Sequence, residues 1–236
     1  MSSRRGPDLP YARVAGVIPR GRRWLVASAK VHAATFAPEA AQLFDTLADV
    51  LSERPAFSVI VVYAPIGYRD EPRSAPRSCD LEARALLERR GSSVRSAPSR
   101  KSLEGRLERG ADHLDAVSAM LLPRYREVAA EMSPYRQRVV YEGNPELSFY
   151  QLNGDRPLRW SKRREEGREE RRAVLEKKIQ GVSHYLEADL PGVSPHHLYD
   201  AAALMWSARR VLGHAAKRLP ANAEWDSEGL RMELVL

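Results

Sequence analysis

The sequence predicts an α/β domain built on one mixed sheet with helices on both faces. Two short strand patterns, Arg13–Val17 and Trp24–Val31, lie close together near the start, as in a hairpin. Phe57–Val62 is a near-continuous apolar run, typical of a central strand that is covered on both faces. Helical and strand patterns alternate after it, which favours a mixed sheet. We expect one domain over residues 13–236 after a flexible basic tail at residues 1–12.

The early elements follow from local patterns. Ala33–Phe36 has a weak strand pattern and can pair back as a third strand. Pro38 is predicted to open a helix that closes at Arg54-Pro55. Its apolar residues recur at helical spacing: Ala40, Leu43, Phe44, Leu47, Val50 and Leu51.

A second helix is predicted to start at Ser78. Asp80 and Glu82 occupy its first turn, where carboxylates favour the helix dipole, and Arg89 and Arg90 occupy its last turn. Gly91 follows as the C-terminal signal. We expect an inserted helical segment from Gly91 to Met132, interrupted by Gly110 and Pro123.

A strand-to-helix corner comes next, and it brings two carboxylates together. Val139–Tyr141 is a buried strand pattern that delivers Glu142. Asn144 is a good N-cap, Pro145 suits the first helical position, and Glu146 falls in the first turn. Such corners often carry the chemistry of α/β proteins.

The last part of the chain is predicted to contain two helices and a strand. Lys162–Lys178 has interleaved charges, which is typical of a solvated helix with short-range ion pairs. A second helix starts at Ser194-Pro195 and ends at Gly213, and Leu230–Leu236 alternates like a strand. The buried stripe of that helix is formed by Leu198, Ala201, Ala202, Met205, Ala208 and Leu212.

Charge and composition restrict the partners and the compartment. The net charge is +7, and only six of the 38 basic residues are lysines. Arginine binds phosphate and carboxylate bidentately, so this bias fits a polyanion partner, and arginine-rich codon usage explains it at least as well. A single cysteine, Cys79, excludes an internal disulfide and a zinc-thiolate cluster, which suits a cytoplasmic protein. No run is apolar for about 18 residues, so we expect no membrane span.

Four ordered segments resemble a known family. They are GVIPRGRRWLVA at 16–27; the region 64–100 with APIGY, RSCDLEAR and RRGSSVRSAPSR; YEGNPELSF, QLNG and SKRREEGREERR after Arg138; and YDAAALMWSARR with DSEGLRMELV near the end. In this order the chain resembles the predicted ribonuclease H-like nuclease family known as domain of unknown function 429. The resemblance implies a ribonuclease H-like fold and a site of carboxylates that hold Mg²⁺ or Mn²⁺.

The chain departs from the family pattern at two central positions. Ile18 and Tyr63 stand where the family carries strand-end aspartates. Glu142, Glu146 and Asp200 match family carboxylates, so they are the expected catalytic set of a remnant or rearranged site, with Glu142 and Asp200 as metal ligands if the protein is active. Asp70 or Glu71 could replace the missing aspartates.

Each candidate also has a structural interpretation. Glu142 and Asp200 could be satisfied by arginines, and Glu146 could be only a helix-capping carboxylate. His196 and His197 precede Asp200 by helical spacing, so either could join it as a metal ligand, although adjacent histidines in a first helical turn are usually inert.

A basic segment next to this region predicts phosphate contact. Serines alternate with arginines there, and Glu88 is the one acid between Arg84 and Lys101. A solvated basic surface is the alternative. The predicted nucleic-acid-binding residues are Arg77, Arg84, Arg89, Arg90, Arg95, Arg100, Lys101 and Lys162.

Three hypotheses follow for the function. The first is a pseudoenzyme without metal-dependent hydrolysis, and without a cofactor, that binds nucleic acid or a protein partner through a basic face. The second is an active Mg²⁺- or Mn²⁺-dependent nuclease or phosphodiesterase with a rearranged carboxylate set. The third is an oligomer subunit that uses the basic face as its interface.

Overall fold

A mixed sheet forms the centre of the fold. The computed structural model describes residues 11–72, 75–105, 114 and 116–236. Within these residues no helix is long and apolar enough to cross a membrane. The sheet contains β1 (Ala12–Arg20), β2 (Arg23–His32), β3 (Thr35–Pro38), β4 (Gln42–Phe44), β5 (Val59–Val62) and β6 (Val140–Glu142).

The strand order confirms the predicted ribonuclease H-like sheet. Its main path runs β3-β2-β1-β5-β6, and β4 pairs with β2 beside β3. β1, β2 and β3 are antiparallel neighbours, whereas β5 and β6 run parallel to β1. Because β1, β5 and β6 are parallel, their C-terminal ends lie at the same edge of the sheet.

Helices cover both faces of the sheet, as predicted. One face packs a core that includes Phe149, Leu175, Tyr185 and Trp206, and the other packs a core that includes Trp24 and Tyr125. The helices are α1 (Leu47–Ser52), α2 (Ser78–Leu87), α3 (Arg100–Leu103), α4 (Ala116–Glu131), α5 (Pro145–Leu152), α6 (Glu165–Lys178), α7 (Ser183–Leu186) and α8 (Pro195–Leu212).

The helix predicted to begin at Pro38 is wrong in its first half. Gln42–Phe44 forms β4 and pairs with Trp24–Val26 of β2, so the sheet takes these residues despite their helical spacing. The helix itself covers only Leu47–Ser52. Thr46 is its N-cap, and the Thr46 side chain accepts a hydrogen bond from the Asp49 N–H.

A second, two-stranded sheet was only half predicted. The alternating end of the chain forms β8 (Arg231–Val235), as expected, and it pairs with an unpredicted β7 (Arg218–Trp225). A single bridge between Gly143 and Val235 joins β8 to the corner after β6. The small sheet therefore lies beside the strand-to-helix corner.

The middle of the chain matches its prediction in part. α2 begins at Ser78, but the chain leaves it at Leu87 and continues as a 3₁₀ turn over Glu88–Ser93. α3 and α4 lie within the predicted inserted segment, whereas residues 106–113 and 115 are outside the described residues. The predicted tail at 1–12 also lies almost entirely outside them, and the single domain over residues 13–236 stays a prediction.

Candidate functional site

The strand-to-helix corner forms as predicted and lies at the C-terminal edge of the parallel strands. Glu142 ends β6, and the Asn144 side chain caps α5 by accepting a hydrogen bond from the Glu146 N–H at 2.9 Å. Ile18 and Tyr63 lie at the same edge, since β1 and β5 are neighbours and the Tyr63 N–H donates to the Val17 carbonyl at 2.8 Å. The two family aspartate positions are therefore adjacent in space, and neither side chain here is a carboxylate.

Glu142 is held inside the protein by Arg77. The Arg77 guanidinium donates to both carboxylate oxygens of Glu142 at 2.7 and 2.8 Å, and the Ile66 N–H donates to one of them at 2.7 Å. Arg77 is 2% exposed and Glu142 is 5% exposed. Glu142 is therefore satisfied by an arginine, as the structural alternative proposed. Arg77 is buried in this pair and does not belong to the predicted nucleic-acid-binding surface.

Asp80 shares the same guanidinium. Arg77 Nε and Nη2 donate to its two carboxylate oxygens at 3.0 and 2.7 Å. Two buried carboxylates therefore face one cation. Burial raises the pKa of Glu142 to about 7, against the charge and hydrogen bonds of Arg77, and the nearby charge of Asp80 adds to the rise. Burial lowers the pKa of Arg77, but the two carboxylates raise it well above its ordinary value, so this residue stays charged.

Glu146 is held by two other arginines. Arg171 Nη2 lies 2.5 Å from one carboxylate oxygen, and Arg90 Nη2 lies 2.9 Å from the other. Arg171 is fully buried and also donates to the carbonyls of Trp160 and Gly167. Glu146 therefore does more than cap α5, because it ties α6 and the 3₁₀ turn to the corner.

Asp200 is brought to the same edge by α8. Ser194 caps this helix and Pro195 lies in its first turn, as predicted. A Cβ atom on Gly16 would lie 2.2 Å from the Ala201 carbonyl oxygen, so only glycine on β1 lets α8 pack this closely on the sheet. Asp200 Oδ2 accepts from Lys162 Nζ at 2.5 Å, whereas Oδ1 is buried and has no hydrogen-bond partner among the described residues.

Burial and pairing act in opposite directions on this pair. Burial raises the pKa of Asp200, and the Lys162 charge opposes the rise. Burial lowers the pKa of Lys162, but Asp200 outweighs it and the pKa of this ammonium is raised. Lys162 is therefore a permanent cation at physiological pH.

The expected carboxylates fall into separate ion pairs and do not fit a two-metal site. Glu142 gives both oxygens to Arg77, Glu146 gives both to Arg171 and Arg90, and one oxygen of Asp200 is taken by Lys162. Among the residues that the structure describes, no three His, Cys, Asp or Glu side chains form a group that could hold a metal ion. Mg²⁺ needs several oxygen ligands around one point, and these side chains do not offer them.

The other candidate metal ligands lie in two regions: the acidic ones in the ion-paired loop and the histidines beside Asp200. Asp70 pairs with Arg100 and Glu71 with Lys101, so neither replaces a missing aspartate. His196 and His197 lie beside Asp200, with ring centroids 4.0 Å apart.

His197 has a helix-capping role and is uncharged at neutral pH. Its Nδ1 atom accepts from the Ser194 N–H at 3.0 Å. Burial, together with the neighbouring His196, lowers the pKa of His197 to about 4.

Two adjoining cavities open at this edge of the sheet, and together we call them the basic cleft. The first, the arginine pocket, has a volume of about 270 Å³, and the second, the groove, has a volume of about 850 Å³. Tyr63, Arg95, Lys162 and Arg163 line both. The cleft is lined by seven cations, Arg20, Arg89, Arg90, Arg95, Lys162, Arg163 and Arg168, and by two carboxylates, Glu146 and Asp200, which are already paired.

The predicted nucleic-acid-binding residues divide into those that line the cleft and those that do not. Arg89, Arg90, Arg95 and Lys162 line it. Arg84 lies beside it, with its guanidinium on the Val94 carbonyl and the Ser96 hydroxyl.

Three of the eight predicted residues are elsewhere. Arg100 binds Asp226 and Glu228, and Lys101 binds Glu71, so both lie in an ion-paired cluster away from the cleft. Arg77 is wrong as a surface contact because its guanidinium is fully engaged inside the protein.

Several residues of this region were missed. Arg171 belongs to a charge run that was interpreted as solvated. It lies four residues from both Gly167 and Leu175, which are also buried. This helical spacing could have indicated that Arg171 faces the core. Asp80 was taken only as a first-turn acid. Arg20 reaches the cleft from the far end of the chain, whereas Arg163 and Arg168 follow the predicted Lys162 in the charge run that was interpreted as solvated.

The chain shows different degrees of similarity to curated proteins, solved structures and family models. None of the curated proteins matches the chain. The structure of RuvC from Thermus thermophilus is similar to it with a TM-score of 0.43 and 17% identity, over 87% of this chain and 98% of that one. The model of the family described as "Protein of unknown function (DUF429)" matches residues 16–225, which include both family aspartate positions, the corner and α8. The chain therefore belongs to the DUF429 family.

Proposed function

We propose that this protein binds nucleic acid through the basic cleft and does not hydrolyse it by a metal-dependent reaction. The observation that carries the proposal is the positive charge at the sheet edge, where the family resemblance implies negative charge. Where the family resemblance implies carboxylates that would collect metal ions, seven cations line a cleft and each nearby carboxylate has a cationic partner. Such a surface attracts phosphate rather than divalent metal.

Two cations of the cleft have no carboxylate partner in the described part of the chain and are the expected phosphate contacts. Within the described residues, Arg89 and Arg163 form no ion pair with a carboxylate, and both are exposed. Arg90, by contrast, also holds Glu146, and Lys162 also holds Asp200. Arg89 and Arg163 are therefore the residues whose loss should reduce phosphate contact without leaving a buried charge unpaired.

Fluorescence anisotropy with labelled single-stranded DNA and RNA at several salt concentrations tests the proposal. We expect log Kobs to fall linearly with log salt, by about 0.7 for each phosphate contact on a single strand. Arg89→Gln with Arg163→Gln should weaken binding by about tenfold and lower the slope by about 1.4. The matched control is Arg54→Gln with Arg138→Gln, which removes the same charge from exposed positions before β5 and β6, at the opposite edge of the sheet.

Each competing hypothesis has its own outcome. No affinity for DNA or RNA at low salt would reject the proposal and favour a protein partner or an oligomer interface on the basic face. Cleavage that requires Mg²⁺ or Mn²⁺ and is lost in Glu142→Ala and Asp200→Ala would instead establish the rearranged nuclease. Equal loss of affinity in the cleft and control variants would mean that binding is not localised to the cleft.

A further inference from the structure

The two parts of the basic cleft differ in size and polarity, and this difference indicates which part of a nucleic acid each one binds. The arginine pocket is small, and its wall carries five cations against a single carboxylate, Glu146, which already has two arginine partners. Ser92 and Ser93 also line it, and the Ser93 hydroxyl donates to the Arg90 carbonyl at 2.6 Å. This concentration of charge exceeds what one diester phosphate with a single negative charge requires.

The groove next to it is larger and has an apolar side. Ile18, Pro19, Val117, Met120 and Leu121 line it, and Met120 is 74% exposed. A flexible thioether and aliphatic side chains are a sequence-tolerant surface for the flat face of a base. Ile18 contributes to this wall at a position where the family resemblance implies an aspartate.

The two cavities are joined, so one ligand can occupy both. Tyr63, Arg95, Lys162 and Arg163 belong to both walls, and Arg95 is hydrogen-bonded to Tyr63 at the junction. A ligand with a highly charged end and an adjoining planar apolar group matches this arrangement. A phosphomonoester carries a charge of about −1.5 to −2 at neutral pH, and it gains more from each added cation than a diester does.

We infer that the arginine pocket binds the terminal phosphomonoester of a nucleic-acid strand, and that the groove holds the bases next to it. The inference rests on the proposed function, since it names the part of the nucleic acid that the cleft selects. The strand enters along the apolar wall and ends in the pocket, where Arg89 and Arg163 bind its phosphate. A free nucleoside monophosphate shares this chemistry, and the length of the bound strand distinguishes the two sources.

Anisotropy with three single-stranded oligonucleotides of identical sequence tests the inference. One carries a 5′-phosphate, one a 3′-phosphate, and one hydroxyls at both ends, with the label placed internally. We expect one phosphorylated end to bind about tenfold more tightly than the hydroxyl ends, as one additional charge-assisted contact allows. In Arg89→Gln with Arg163→Gln this preference should disappear, whereas the Arg54→Gln with Arg138→Gln control should keep it.

The possible failures separate this inference from the proposed function. Equal affinity for all three oligonucleotides overturns the inference but leaves nucleic-acid binding intact. No binding to any of them overturns both. Displacement of the phosphorylated oligonucleotide by AMP at an equal concentration assigns the pocket to free mononucleotides and overturns recognition of a strand end. Circular dichroism of each variant establishes that lost affinity does not come from unfolding.

Discussion

Glu142 and Asp200 both match family carboxylates and both are buried, yet their cationic partners differ in exposure. Glu142 is paired with Arg77, which also holds Asp80 of α2, and all three side chains are buried. Asp200 is equally buried, at 3% exposed, but it lies at the wall of the groove, and its partner Lys162 is half-buried and lines both cavities. The comparison teaches that one region of the expected site has become part of the protein's internal framework, while the other presents Lys162 at the wall of the cleft, where a ligand can reach it. Variants in the enclosed region should therefore affect stability, and variants in the open region should affect binding.

The largest expected effect is the loss of stability in Arg77→Met. Removing this guanidinium leaves Glu142 and Asp80 buried without a cation, which should cost about 3–5 kcal/mol. Urea unfolding measures the change in the free energy of unfolding. A loss below about 1 kcal/mol would show that the enclosed region is not structural. Arg54→Gln is the control, and it should change stability by no more than about 0.5 kcal/mol.

Gly16→Ala should come next, because it affects the contact that carries Asp200 to the cleft. The added methyl group would lie 2.2 Å from both the Ala201 carbonyl oxygen and the Met205 nitrogen, so α8 must move away from β1. We expect a loss of about 1–3 kcal/mol in the free energy of unfolding, together with weaker oligonucleotide binding. Gly213→Ala is the control, because its φ is −86° and the added methyl group would meet its nearest atom at 3.5 Å, an ordinary contact. Unchanged stability in Gly16→Ala would refute the close-packing explanation.

The enclosed region should also make stability depend on pH. Because the pKa of Glu142 is raised by burial to about 7 in the folded protein, the folded state binds more protons than the unfolded state between about pH 4.5 and 7. Its contribution is fully present below about pH 4.5 and is lost as pH rises through 7. Glu142→Gln should remove this component, so the variant should gain stability relative to wild type as pH rises. Urea unfolding at pH 5, 6, 7 and 8 measures the two slopes, and parallel curves would contradict the prediction.

The smallest effect should be that of Tyr63→Phe in the open region. This change removes the hydrogen bond to Arg95 but keeps the ring, so stability should change by less than about 0.5 kcal/mol. Oligonucleotide affinity should fall about twofold, because Arg95 is less firmly oriented at the junction of the two cavities. Isothermal titration calorimetry measures the affinity. A destabilisation comparable to that of Arg77→Met would remove the distinction between the two regions.

The sequence predicted the framework well because local patterns determine it. The apolar run of β5, the cap at Asn144 and the helix start at Ser194 all act over a few residues. It failed at Gln42–Phe44, because pairing with β2 outweighed a helical spacing that was equally visible. The helical and strand conformations of such a short segment differ little in free energy, and pairing with β2 favours the strand here.

The site was predictable in position but not in pairing. Glu142, Glu146 and Asp200 lie on the strand and helices where the sequence placed them, but the identity of their partners depends on contacts between distant segments. The structural interpretation held for Glu142, whereas the partner of Asp200 is a lysine rather than an arginine. Arg20 and Arg168 lie far apart in sequence and meet only at the cleft, so no spacing rule could have joined them.

The bridge between Gly143 and Val235 has a consequence for self-association. β6 has three residues and lies at one end of the main sheet, where its unpaired peptide groups could template the addition of a foreign strand. The approach of β8 blocks that position with a single parallel bridge. The opposite end is a four-residue strand, β3, which offers little length for such pairing. Short and obstructed edges of this kind protect a sheet against edge-to-edge aggregation.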